Sequence, residues 1–443
     1  MTQLYIKKSL SYSAIPMETL ERSLSLWEVT LMSIGIILGA GIYVVIGEAA
    51  GLSGNAVWLS FIIAAIVATF TGLSYAELSS RFPKAGAEYV YVENSFGRHA
   101  AWVVGWLIIA GSVIGSATVS LGFSRYFSAL FNTPVLLTGI VMLLIVGSIL
   151  LAGVKETATL TILFMAIEAL GLAIIIFVGI PFFGSINYLE FAQGTKGVIE
   201  AGVLIFFGYL GFEGITRLAE ETKNPEKTIP RAILLSLGIT TVIYILVGLA
   251  AVSVVPWQDL AQAQAPLALV AERVFGENSF LILSVIALFS TFNTALVMLL
   301  SGSRLVFGMA DQQALPRMFL QVLKRFRTPW TAILGVMVVS ILFLFLGDLK
   351  TVANLTNFTI FAVFIVINGS VVFYRLKKPF DSGFRIPGAI KNVPIIPLLG
   401  IMTSLFMIIN LSIDVLAIGS VLLILGILFS YLLEKHRRAG SFS

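Results

Sequence analysis

Ser33-Ile34-Gly35-Ile36-Ile37-Leu38-Gly39-Ala40-Gly41-Ile42-Tyr43 sets three glycines in the middle of the first long apolar block of the chain. The sixth block does the same with Phe206-Phe207-Gly208-Tyr209-Leu210-Gly211-Phe212-Glu213-Gly214, and adds a carboxylate. Glycine weakens a helix interior and lets another backbone approach closely. Gly35 and Gly39 alone would serve equally well as a GxxxG helix-packing pair. A matching interruption five blocks later favours two broken helices at corresponding places in an inverted repeat, with a binding site near the membrane midplane.

Outward from these stretches, the composition is that of a lipid-solvated protein. The 443 residues are 58% hydrophobic and 12% charged, against roughly a quarter charged in a soluble domain. Runs such as 135–153, 158–183, 232–255 and 415–433 carry at most one charge. They match the about 20 helical residues that cross a hydrocarbon core ~30 Å thick. The expected fold is all-α and integral to the membrane, with twelve spans near 25–50, 55–79, 100–130, 135–153, 157–183, 198–219, 231–255, 279–310, 330–347, 350–374, 394–412 and 414–433. The first block is too long for a signal-peptide core and reads as a retained span. There is no cysteine, which excludes disulfides, thiolate metal sites and a cysteine nucleophile.

Cytoplasmic loops of membrane proteins are rich in lysine and arginine. With the amino end inside, Lys7, Lys8, Arg22, Arg81, Lys84, Arg98, Lys155, Arg217, Lys223, Lys227, Arg231, Arg304, Arg317, Lys324, Arg325, Arg327, Arg375, Lys377, Lys378, Arg385, Lys391, Lys435, Arg437 and Arg438 fall inside. Only Arg125, Lys196, Arg273 and Lys350 fall outside, a division of 24 to 4. Both ends are therefore expected in the cytoplasm, and the pI near 9.3 reflects these flanks, not a nucleic-acid partner. All six tryptophans lie at or near span ends, where an interfacial belt puts them.

Three motifs carry a resemblance. Tyr75-Ala76-Glu77-Leu78-Ser79-Ser80-Arg81-Phe82-Pro83-Lys84-Ala85-Gly86-Ala87-Glu88-Tyr89-Val90-Tyr91-Val92 follows span 2. Gly211-Phe212-Glu213 leads to Ala219-Glu220-Glu221-Thr222-Lys223-Asn224-Pro225 and Ile229-Pro230-Arg231, and Ser303-Arg304, Met309-Ala310-Asp311 and Leu315-Pro316 close span 8. Together, over roughly residues 24–435, they resemble the amino acid–polyamine–organocation superfamily of permeases. The resemblance implies a five-plus-five inverted repeat with discontinuous helices 1 and 6, followed by two further helices. The corresponding divisions are a cytoplasmic tail over 1–24, repeats over 25–183 and 198–374, a helix pair over 394–433 and a tail over 434–443. It also implies a multi-pass protein of the cell membrane that carries amino acids without a cofactor. Pro225 and Pro230 are expected to stiffen the link between spans 6 and 7.

Helix physics and the resemblance agree on a site. Unpaired N–H groups at the restarted half of helix 1 sit at a positive dipole end, so Ala40, Gly41 and Ile42 are candidates for the substrate carboxylate. The resemblance points to the carbonyls of Ile37, Phe207 and Leu210 for the ammonium, and to Phe207 as an aromatic cap and gate. It likewise implies a side-chain pocket of Ile109, Val113, Ser116 and Met298. None of these is charged, so a neutral, aliphatic or small amino acid is the expected substrate, and apolar pockets separate aliphatic side chains by only ~1–3 kcal/mol per methylene.

Two ionisable groups fall deep inside spans, and such groups are functional by default. Glu213 would either tie the frayed ends of the broken helices or act as a gate. Glu168 stands where one proton-coupled branch of the superfamily carries a lysine, and no lysine lies mid-span here. It is expected to couple transport to protons, with Ser290 and Thr291 of span 8 as hydroxyls near the same ion site. Exchange without ion coupling, sodium coupling, polyamine transport and a non-transporting sensor stay open, as do the oligomeric state and any partner subunit. A membrane enzyme would want a metal or nucleophile constellation, and His99 and His436 are isolated.

Overall fold

The computed structural model describes residues 22–83, 87–219, 221–323, 325–377, 383–390 and 393–440. Lys7, Lys8, Lys84, Lys324, Lys378 and Lys391 of the charge division, and Ala85, Gly86 and Glu220 of the motifs, lie outside these residues. The first helices are α1 (Leu26–Leu38), α2 (Gly41–Ser53), α3 (Val57–Arg81), α4 (Ala87–Phe96), α5 (Arg98–Phe131), α6 (Val135–Ala152), α7 (Val154–Gly179) and α8 (Gly194–Ile205). They are followed by α9 (Pro225–Val254), α10 (Trp257–Gln262), α11 (Pro266–Phe275), α12 (Glu277–Asp311), α13 (Trp330–Leu344), α14 (Leu349–Lys377), α15 (Ile395–Ile409) and α16 (Ile413–Gly440). Among the described residues, nine helical segments are long and apolar enough to cross a membrane, and Leu26–Leu38, Trp330–Leu344 and Ile395–Ile409 are shorter apolar helices. The two-residue strands Ala389–Ile390 and Val393–Pro394 pair antiparallel between α14 and α15. Apart from that pair, the regular structure of the described residues is helical, as the long apolar runs predict.

The first helix starts on a capping box: Glu28 N donates to Ser25 Oγ, and Ser25 N donates to Glu28 Oε2 at 2.7 Å. It stops at Gly39, whose φ of +26° and ψ of −177° no helix accepts, and resumes at Gly41. The α8 helix ends differently. It tightens into a 3-10 turn over Phe206–Tyr209, runs extended through Leu210, turns at Gly211 with φ +116°, and continues as a second 3-10 stretch, Phe212–Leu218. Pro225 opens α9 and Pro230 lies within its first turns. Pro225 takes a position whose N–H has no helical partner to lose, whereas Pro230 lies inside the helix, so the stretch holding both prolines is part of α9 and not a separate connector.

Three short helices, α4, α10 and α11, occupy stretches that the span boundaries leave as loops. The last two fold over α2 so closely that a Cβ on Gly47 would stand 2.7 Å from the Leu260 carbonyl oxygen. In the bundle, α5 lies against α12 and α14, α3 lies against α9, and α1 packs on α9.

The two ends of the bundle hold their charges differently. All four cations of the minor set are paired: Arg125 with Glu48 at 2.7 Å, Arg273 with Asp259 at 3.2 Å, and Lys196 and Lys350 with Glu200 at 3.5 and 3.7 Å. At the other end Glu77 of α3 and Arg375 of α14 form a buried bidentate pair. Ile386 completes it, its N–H donating to Glu77 and its carbonyl accepting from Arg375, both at 2.8 Å. Ser80 Oγ accepts from Phe384 N at 2.7 Å, so the segment after α14 is pinned beneath α3. Leu24 pairs with the stretch after the second 3-10 segment, donating to Glu221 O at 3.0 Å and accepting from Lys223 N at 2.9 Å.

Candidate functional site

The two breaks meet. A Cβ on Gly41 would run into the backbone of Gly208, and would stand 3.3 Å from the Phe207 carbonyl oxygen. Only glycine permits that approach. Tyr244 of α9 spans the junction: its hydroxyl lies 2.8 Å from each of the Ile37, Leu38 and Gly208 carbonyl oxygens. A phenol carries one proton, so the three acceptors share it, and both unwound segments are tied to one side chain. Asn357 of α14 adds a second tie, its amide donating to Val203 O at 2.7 Å near the end of α8. Gly41 and Ile42 open α2, where N–H groups have no helical acceptor. Ala40 N donates to Thr294 Oγ1 at 2.8 Å.

Below the junction lies a cavity of about 270 Å³. Gly35, Ile36 and Gly39 form one wall, and Leu210, Gly211, Glu213 and Gly214 form the opposite one. Ile108, Gly111 and Ser112 come from α5, Met165 from α7, and Asn293, Thr294, Met298 and Ser301 from α12. Thr356 and Ile360 of α14 close it. Of the expected site residues, Leu210, Met298 and Glu213 line this space. Ile37, Ala40 and Ile42 are buried in the junction above it, as is Phe207 at 3% exposure.

Ile109, Val113 and Ser116 are not brought to the cavity. They lie on the other face of α5, where Ile109 and Val113 wall a separate apolar cavity and Ser116 Oγ bonds Ser340 Oγ at 2.8 Å. The facing set is Ile108, Gly111, Ser112 and Gly115, whose Cβ would meet Met298. One residue along a helix turns the face by about 100°, and that step separates the expected set from the observed one.

Glu213 accepts from Gly211 N through Oε2 at 3.0 Å, and its carbonyl accepts from Thr216 Oγ1 at 2.7 Å. The carboxylate thus caps the restart of the second broken segment. Glu168 is 1% exposed and accepts from Ser290 Oγ at 2.7 Å through Oε1, while Oε2 has no hydrogen-bond partner among the described residues. Its carbonyl accepts from Tyr43 of α2 at 2.9 Å. Thr291, expected beside it, instead bonds the Ala287 carbonyl of its own helix at 2.7 Å. Thr294 is the hydroxyl that reaches the break, and it also donates to Ser290 O at 3.0 Å. A connected path therefore runs from Glu168 through Ser290 and Thr294 to Ala40 at the break. Tyr244, Thr294, Asn293 and Ser112 are absent from the sequence-derived set, because single polar residues in apolar spans carry no pattern.

The family described as amino acid permease matches residues 24–432. A branched-chain amino acid permease of Bacillus subtilis is 30% identical over 446 residues, 95% of each chain. A methylthioribose transporter of the same organism is 32% identical over 426 residues, covering 90% of this chain and 91% of the relative. Human cationic amino acid transporter 4 is 29% identical over 390 residues, 82% of this chain and 61% of its own length. With a matched region that spans nearly the whole sequence and relatives that are transporters, this multi-pass membrane protein belongs to the amino acid permease family.

Proposed function

We propose that the chain is a secondary active carrier of neutral amino acids in the cell membrane, coupled to protons and working by alternating access. The observation that carries this reading is the pair of broken helices, backbone to backbone at Gly41 and Gly208 and tied by Tyr244. Broken helices that meet at mid-depth offer N–H donors to a carboxylate and carbonyls to an ammonium. Counting α1 with α2, and α8 with the 3-10 stretches, as one span each gives twelve spans. Repeats over 25–183 and 198–374, with a helix pair over 394–433 between cytoplasmic tails, account for the order of elements. The pairing of Arg125, Lys196, Arg273 and Lys350 with acids supports their assignment to the outer face. The cavity then lies between the cytoplasmic halves of the bundle, as in an inward-facing state closed outside by α10 and α11.

In this proposal Gly41 and Ile42 hold the substrate carboxylate, Leu210 accepts from the ammonium, and Ser112, Met298 and Thr356 meet the side chain. Glu213 spends an oxygen on Gly211 N, which favours a neutral substrate over a cationic one. The relatives' names span branched-chain amino acids, cationic amino acids and methylthioribose, so a panel must decide. A ligand that binds only the folded carrier raises its melting temperature, and neutral amino acids should do so while their decarboxylated and N-acetylated analogues do not. Equal binding of a simple amine would sink the amino acid assignment.

Proton coupling is assigned to Glu168, whose protonation would neutralise a buried charge linked through Ser290 and Thr294 to the helix break. In proteoliposomes with an imposed pH gradient, Glu168→Gln should lose gradient-driven accumulation and keep exchange. Accumulation equal to the wild type would remove Glu168 from coupling. A second reading is favoured by one observation: Asn293 Oδ1 and Glu168 Oε2 are both buried without a partner among the described residues, and Ser290, one turn before Asn293 on α12, donates to Glu168. Such an oxygen set suits sodium. Uptake that collapses when sodium is replaced by choline, and that loses this dependence in Asn293→Ala, would select sodium over protons.

A further inference from the structure

A second cavity, of about 220 Å³, lies between α5, α12, α13 and α16, on the far side of α5 from the central one. Trp106, Val113, Phe319, Val336, Phe343 and Leu422 are in its wall, which consists of apolar residues throughout. Its one polar side-chain atom is already spent, because Trp106 Nε1 donates to Leu422 O at 3.0 Å. Water needs two to four polar partners to occupy a buried space, so this one is suited to hydrocarbon. Val339 at 42% exposure carries the wall out to the lipid-facing surface.

The segment that follows Asp311 at its end carries charge of one sign. Residues 312–347 contain no acid, and they hold Arg317, Lys324, Arg325 and Arg327. The three arginines are exposed and make no ion pair among the described residues. Arg317 opens the 3-10 turn Arg317–Leu320, whose Phe319 is part of the cavity wall. That turn is tied to α13 through Thr331 Oγ1, which donates to Met318 O at 2.8 Å.

We propose that this cavity seats one acyl chain of an anionic phospholipid, with the phosphate held by Arg317. Arginine binds phosphate through charge-assisted hydrogen bonds, and basic pockets beside membrane helices recruit anionic headgroups. The seated chain would support the substrate site from behind. Gly302 of α12 fits between Ser112 of the central cavity and Val336 of the apolar one, where a Cβ would stand 3.1 and 3.4 Å from them. Filling the apolar cavity therefore holds α5 and α12 in register while their other faces meet substrate.

The test uses the full-length protein in vesicles of phosphatidylglycerol or phosphatidylcholine with brominated acyl chains. The Trp106 signal is taken as the difference between the native chain and Trp106→Phe. Strong quenching in phosphatidylglycerol is expected, falling to the unbrominated level when Ala110→Phe fills the cavity, and weakened in Arg317→Gln. Quenching that Ala110→Phe leaves unchanged would mean annular lipid only, and would overturn the site. A second readout does not depend on the filled variant. Phosphatidylglycerol added to detergent-purified native protein should raise its melting temperature, with a smaller rise in Arg317→Gln. No rise, or an equal rise with phosphatidylcholine, overturns the proposal.

Discussion

The two interrupted helices resume in different ways. After Gly39 the chain restarts at once as α2, a 13-residue α-helix that is buried almost throughout. After Gly211 it runs on as 3-10 turns and regains α geometry only at Pro225. A restarted α-helix presents aligned N–H groups and a positive dipole end. A 3-10 stretch has poorer hydrogen-bond geometry and is characteristic of hinges, and here its leading N–H is already taken by Glu213. The first break therefore supplies a fixed pole for an anion, and the second supplies the adjustable wall facing it.

The contact between the breaks is the place to test this division hardest. Gly41→Val drives a side chain into the Gly208 backbone, which has no flexible atom to yield. Overpacking of this kind costs ~1–3 kcal/mol or more, and it should abolish ligand-induced thermal shifts as well. Gly214→Ala, in the adjustable wall with nothing within 4 Å of its Cβ, should change stability by less than about 0.5 kcal/mol. Equal losses from the two substitutions would mean that the segments are equally fixed.

Tyr244→Phe comes next in size. It leaves three carbonyls without their shared donor, at a cost of ~1–3 kcal/mol, read as a fall in the thermal midpoint. Tyr209→Phe removes the bond to Phe61 O at 3.2 Å but leaves the ring packed on Tyr244, 5.3 Å between centroids, and the three shared carbonyls untouched, and should cost about 1 kcal/mol. Substrate affinity should fall in the first variant and hold in the second. If both lower stability and neither moves affinity, Tyr244 braces the bundle without shaping the site.

The breaks were legible because glycines crowd together at mid-span in two blocks five spans apart, a correspondence that helix packing alone does not call for. The all-helical membrane character was legible in the same way, from long runs without charge. Helix rotation was not. Ile109, Val113 and Ser116 share one face, and so do Ile108, Ser112 and Gly115. Nothing within an apolar span says which face looks inward until a neighbour is fixed. The Glu77–Arg375 pair was equally hidden, since its partners are 298 positions apart and each also fits a solvated span end. Glu168 and Ser290 could be expected together only because the resemblance put them at one ion site; Thr291, beside Ser290 in sequence, turned to its own backbone.

Glu213 gives the smallest effect and the finest discrimination, because two roles read from the sequence predict different things. As a cap, its function is to accept from Gly211 N. Glutamine retains an acceptor at the same reach, so Glu213→Gln should cost only a few tenths of a kcal/mol, whereas Glu213→Ala strands the donor and should cost ~0.5–2 kcal/mol. As a gate, its charge matters more than its hydrogen bond. Glutamine would then keep the stability and alter the dependence of uptake on pH. Thermal midpoints and pH profiles of the same three proteins separate the two. If Glu213→Gln matches the wild type in both, the carboxylate is a cap and the adjustable wall moves without it. If stability holds and the profile flattens, the charge belongs to the movement, and the second break is adjustable because it carries a group that can be switched.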